Sequence, residues 1–145
     1  MADYSDLYFY VSSDELTDYY PSNHPNRFTA KTDRDYYLSG TWECCVTEVH
    51  FVANFAKPID RFVYLCCDLV ATSSVQGTRK RILRRIDVDG LDLNKTKIYQ
   101  EFCPYYVEIN TNQFQEIRFS LLDSNLRTSS LLSPFSCVLH MRRKY

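Results

Sequence analysis

The sequence predicts an all-β chain, and three observations carry that expectation. Aromatic residues fill 15% of the 145 positions, with 12 Tyr and 9 Phe against 3 Gly and one Trp, a composition that suits pleated, half-buried surfaces. Short runs with an apolar residue at every second position recur from end to end. Turn-prone stretches separate them, and no segment keeps a helical repeat for longer than a turn or two.

Taken in order, residues 6–11 place Leu7, Phe9 and Val11 on one side, and residues 27–33 place Phe28 with Ala30. Residues 42–51 form a longer run. Residues 62–70 set Val63, Leu65, Cys67 and Leu69 on one face, residues 79–86 set Ile82 with Ile86, and residues 97–103 set Ile98 with Phe102. The last two runs, 114–122 and 135–143, turn Ile117, Phe119 and Leu121, then Phe135, Cys137, Leu139 and Met141, inward. Turns are expected at 21–25, 39–40, 72–77, 87–90 and 123–125. Residues 12–26, polar and broken by Pro21 and Pro25, predict a long loop. Eight antiparallel strands in one domain spanning 1–145 mean a sandwich or a closed barrel.

A net charge of -1 gives no overall reason to seek nucleic acid or an anionic membrane, so such binding has to come from a local patch. No run approaches the ~20 apolar residues of a membrane span, and the acidic start Met1-Ala-Asp-Tyr-Ser-Asp6 lacks the form of a secretory signal. The expectation is a soluble chain made in the cytosol, with reduced thiols and an unused glycosylation sequon at Asn94-Lys-Thr96.

The six cysteines include the adjacent pairs Cys44/Cys45 and Cys66/Cys67, and no C-x-x-C spacing that could clasp zinc. On a strand the members of each pair point to opposite faces, and Cys67 and Cys137 fall in register with inward leucines as small buried hydrophobes. His24, His50 and His140 lie in no catalytic signature, and three glycines leave no phosphate-cradling loop. Acidic pairs Asp14/Glu15 and Asp87/Asp89 sit in expected turns. No catalytic residue, metal ligand or cofactor is expected.

Two features exceed plain scaffolding. Arg79, Lys80, Arg81, Arg84 and Arg85 crowd into seven residues, and Arg142, Arg143 and Lys144 repeat the theme near the end. They suit phosphate contacts, a nuclear-import signal, an acidic neighbour, or a charged edge that resists pairing. The second feature is the outward side of residues 62–70, where Phe62, Tyr64, Cys66, Asp68 and Val70 are too apolar for solvent and suit a protein interface.

The segment Tyr37-Leu-Ser-Gly-Thr-Trp-Glu-Cys-Cys-Val-Thr-Glu-Val-His-Phe51 resembles the "L-x-G-x-W-E-V-A-L-T-E-I-x-Y" block of single jelly-roll penton proteins in Polinton and adintovirus-like DNA viruses. Residues 62–70 with Gly77 and 82–86 look like that family's next block, and 105–107, 116–123 and 138–142 look like its closing strands. The family's Pro and Trp after the third strand are replaced here by residues 50–55, and its Gly before the last strand by Leu131-Leu-Ser-Pro134.

The resemblance implies a single jelly roll of two four-stranded antiparallel sheets, with no enzyme activity. It implies a virion structural protein: a homopentamer at icosahedral vertices, beside a double jelly-roll major capsid protein, assembled in host cytoplasm and nucleus. Phe62, Tyr64 and Asp68 are then expected at the interface between copies. Arg79, Lys80, Arg81, Arg84, Arg85, Arg142, Arg143 and Lys144 are expected to contact capsid or genome. The competing expectation is a monomeric β-barrel module that holds single-stranded nucleic acid through Tyr and Arg.

Overall fold

The computed structural model describes residues 6–57, 61–88 and 97–144. The start Met1–Ser5, the end of the turn expected at 87–90 and the Asn94 sequon lie outside them. Among the described residues there are strands and turns and no helix. The strands are β1 (Asp6–Ser12), β2 (Arg27–Tyr37), β3 (Trp42–Val52), β4 (Phe62–Cys67), β5 (Ser73–Val75) and β6 (Thr78–Lys80). They continue as β7 (Ile82–Asp87), β8 (Lys97–Glu101), β9 (Val107–Glu108), β10 (Gln113–Leu122) and β11 (Phe135–Arg143).

Two antiparallel sheets stack. The first runs β1-β11-β3-β8, with β9 continuing the β8 edge along the start of β3, and the second runs β2-β10-β4-β7. β1 thus pairs with β11, β2 with β10, β3 with β8 and β4 with β7. First with last and second with next-to-last is a long hairpin rolled up on itself, and the fold is a single jelly roll. β5 and β6 stand apart as a small hairpin. Gln76 and Gly77 at its tip both have positive φ, 48° and 78°, the pair of left-handed residues that a two-residue hairpin turn requires.

The core lies between the sheets and is aromatic. Phe28 stacks on Phe119 at 5.0 Å within the second sheet and meets Phe135 of the first at 6.3 Å. Toward the other end, Phe9 of the first sheet sits edge-on to Tyr36 and Phe114 of the second, at 5.4 and 5.9 Å. Burying one such ring contributes roughly 2–3 kcal/mol. The alternations expected for β1, β10 and β11 hold: Leu7, Val11, Ile117, Phe119, Leu121, Phe135, Cys137, Leu139 and Met141 are buried, with Phe9 packed on them.

The basic run requires a correction. Residues 79–86 are two strands with a break at Arg81, and the inward pair is Leu83 with Ile86 rather than Ile82 with Ile86. The cause is a bulge: Leu65 faces Arg84 while the adjacent Cys66 faces Ile82, which leaves Leu83 as an extra residue and shifts the alternation by one. A second irregularity lies in β2, where residues 32–35 stand against Gln115 alone. Thr32 Oγ1 is within bonding distance of the carbonyls of Arg34 (2.7 Å) and Gln115 (2.9 Å), so the buried hydroxyl has acceptors. The strand 62–70 stops at Cys67, and Leu69 and Val70 turn into the core beyond it.

The segment 13–26 lies across the β2 edge of the second sheet. The Tyr20 hydroxyl donates to Glu116 (2.8 Å), Lys31 lies over the Tyr19 ring (4.6 Å), and the Asn23 amide bonds both backbone groups of Thr29. Asn23 therefore occupies the hydrogen-bonding groups that an edge strand would otherwise offer to another chain. At the segment's end the buried Asn26 side chain makes paired bonds to Leu131, 2.8 and 3.1 Å, tying the loop to the approach of β11.

Candidate functional site

The fold leaves two outer faces, and the side chains that the sequence singled out divide between them. On β4, Phe62 and Tyr64 point out of the second sheet, their rings 5.3 Å apart edge to face. Phe62 is half-buried, with the Arg85 guanidinium 4.9 Å above it, and Asp68 is exposed just past the strand. Tyr64 is only 9% exposed, so its own chain covers it and it supports Phe62 from behind. Asp68 Oδ1 accepts from the Arg118 backbone N–H at 2.9 Å, and the Asp68 N–H donates to the Arg118 carbonyl, which extends the β4–β10 ladder past the strand end. Burial raises the Asp68 carboxyl, and the Arg118 N–H works against that rise.

Most arginines of the cluster fasten the chain to itself. Arg79 bonds Thr72 twice across the β5–β6 hairpin, and Arg81 donates to the Val70 carbonyl at 2.7 Å. Arg84 reaches the Cys103 carbonyl and lies over the Phe102 ring, linking the second sheet to the first, while Arg85 pairs with Asp87 at 3.5 Å. Lys80 is half-buried, and its side chain makes no hydrogen bond or ion pair among the described residues. The C-terminal basic residues belong to the other sheet. Arg142 pairs with Glu43 at 2.7 Å, Arg143 lies over the Trp42 ring, and Lys144 is exposed.

The outer face of the second sheet holds an open groove of about 410 Å³ that sequence reasoning did not assemble. Its walls carry Arg27, Lys80, Arg81 and Arg118, its floor Cys66 and Ser120, and Asp68 is its one carboxylate. Period-two alternation on β10 already turns Arg118 outward; the signal that was missing is the pairing of Ser120 with both Arg27 and Cys66, which brings three strands to one place.

The outer face of the first sheet is different. Tyr8, Tyr10 and Tyr99 are exposed, Tyr10 by 75%. A groove of about 420 Å³ there is lined by Tyr10, Glu15, Glu48, His50 and Tyr99, with no Lys or Arg. Tyr99 donates toward Glu48 and Glu101 at 2.8 and 3.1 Å, and hydrogen bonding to Glu48 first, then Glu101, pushes its phenol up to about 12.

Beside that groove His140 is held on three sides. Tyr8 stacks on it at 4.4 Å, Asp6 meets Nε2 at 2.6 Å and the Tyr106 hydroxyl meets Nδ1 at 2.7 Å. An Asp–His–hydroxyl chain resembles a nucleophile relay, but burial, and then the Cys45 bond, pushes Tyr106 up to about 12. Its phenol therefore holds its proton more tightly than a free tyrosine does. Arg142, 3.5 Å above the Tyr106 ring, completes a rigid polar cluster.

The cysteines alternate as expected, with Cys44 and Cys67 in the core, and Cys45 and Cys66 on the outer sides but covered. Burial raises the thiol of each, Cys67 to about 12, so none is a ready thiolate. Among the described residues no three His, Cys, Asp or Glu side chains converge as a metal site would require. Nor is there among them a helix long and apolar enough to cross a membrane.

Arg and Tyr do share one further groove, of about 580 Å³, where Arg84 and Arg85 face Tyr105 and Tyr106. Asp87 and Glu108 also line it, and Arg85 is paired with Asp87. That pairing and those carboxylates oppose phosphate entry.

Comparison with known proteins places the fold. No family model matches the sequence, and no curated protein matches it. A crystal structure of the mavirus penton protein is similar over 94% of this chain and 99% of its own, with a TM-score of 0.68 and 7% sequence identity. The likeness is one of architecture: the two chains share the jelly roll nearly end to end.

Proposed function

We propose that this chain is a penton-type capsid protein of a Polinton or adintovirus-like virus, forming homopentamers at the vertices of an icosahedral virion. The observation that carries the reading is the end-to-end match in fold to a penton protein, over 94% of this chain and 99% of that one. The work of such a protein is geometric. Each copy has to bury one side surface against the next, with a rotation that closes after five copies and ~1,000 Å² or more per contact.

Phe62 and Asp68, backed by Tyr64, are proposed as part of that contact, since Phe62 keeps part of its ring at the surface. The Arg79–Arg85 stretch and Arg142–Lys144 are proposed to meet the double jelly-roll major capsid protein or the genome. Because most of these arginines already bond their own chain, they would present fixed charge rather than flexible arms. Negative-stain electron micrographs of the purified protein test the reading: five-membered rings are expected, and a field of isolated monomers at virion-like concentration would end it.

A further inference from the structure

The two outer grooves are opposite in charge and nearly equal in volume, about 420 and 410 Å³. One is walled by Glu15, Glu48 and His50 with Tyr10 and Tyr99 at its margin and contains no Lys or Arg. The other is walled by Arg27, Lys80, Arg81 and Arg118 and contains one carboxylate, Asp68, whose Oδ1 is taken by the Arg118 backbone N–H. They lie on opposite outer faces of the sandwich, so within one chain they cannot meet.

We infer that the acidic, tyrosine-bearing groove of one copy docks on the basic groove of the next copy. This rests on the ring reading above and names the surfaces that make the ring. Among the described residues the side chains of Arg27 and Lys80 have no hydrogen bond or ion pair, so their charge is available to a neighbour. Exposed Tyr10 supplies apolar area for Cys66 and Leu122 on the floor, and a phenol for the arginines around it. Contact between unlike patches is heterologous, so every copy keeps one patch of each kind open until the assembly closes. A self-complementary pair of faces would stop at a dimer.

Charge reversal tests the assignment. Glu15→Lys with Glu48→Lys reverses the first groove, and Arg27→Glu with Arg118→Glu reverses the second. Sedimentation velocity in low and high salt reads association, and thermal melting confirms that each variant is folded. Each double variant is expected to weaken association about a hundredfold, since like charges then face each other. The quadruple variant, with both grooves reversed, is expected to regain most of it, which a fold defect could not produce. Rings that persist unchanged in both double variants would overturn the docking while leaving the ring intact. A wild-type chain that stays monomeric at every concentration would overturn the ring reading and the docking with it.

Discussion

The two sheets bury their inner sides in the same way and treat their outer sides differently. The second sheet is roofed along its β2 edge by residues 13–26 and presents Arg27 and Arg118 next to that roof. Among the described residues the first sheet has no such roof: Tyr8 and Tyr10 are exposed, Tyr10 beside Glu48 and Tyr99. The inner sides answer to packing, and therefore to the chain alone. The outer sides have more polar and aromatic character than packing needs, so their pattern points to neighbours. Substitutions that strike the shared core should erase both faces together, and those on one face should leave the other intact.

The largest effect is expected at the core. Phe28→Ala removes a ring that touches Phe119 in its own sheet and Phe135 across the sandwich, and should cost roughly 3–5 kcal/mol in chemical denaturation. A loss under about 1 kcal/mol would show that the sheets do not rest on each other there.

The next effect is alkaline. Cys67 has a usual thiol value of 9.0 that burial raises to about 12 in the fold, so the folded state holds this proton more tightly than the unfolded chain. Its contribution is complete below pH 9 and is lost as pH climbs toward 12, with a slope approaching ~1.4 kcal/mol per pH unit per such thiol. Melting temperatures measured across that range should fall, and Cys67→Ala should flatten the fall. Tyr20, raised to about 12 by burial and then by Glu116, adds loss of the same sign above pH 10.

Smaller effects separate the two faces. Tyr20→Phe removes one bond from the roof and should cost about 1 kcal/mol, with faster hydrogen exchange confined to residues 13–26 and their β2 partners. Tyr10→Ser on the bare face should leave folding stability within about 0.5 kcal/mol, because the ring is mostly in solvent, yet weaken association between copies. Equal association in Tyr10→Ser and wild type would detach the first face from assembly.

What could be read in the sequence was whatever depends on alternation within one strand. Residues 135–143 show it best: the expected bounds and inward residues are those of β11. Alternation fails where the chain inserts a residue, as at Leu83, because a bulge is fixed by the partner strand and leaves no local signature. β5 escaped notice because a strand of three residues carries too few positions to show a period, and the two-residue β9 was touched only by the resemblance at 105–107. Phe62 was legible as an outward aromatic, whereas the cover over Tyr64 was not, since that depends on which side chains pack around it in three dimensions. The basic groove was half legible. Arg81 came from the cluster, but Arg27 and Arg118 join it only through cross-strand register.

The central claim is closure of five copies into one ring, and the mass of the purified assembly tests it most directly. Native mass spectrometry should give a dominant species of five times the 17.1 kDa chain, with assemblies of two to four copies scarce. A dominant monomer, or an even-numbered series built from dimers, would contradict it.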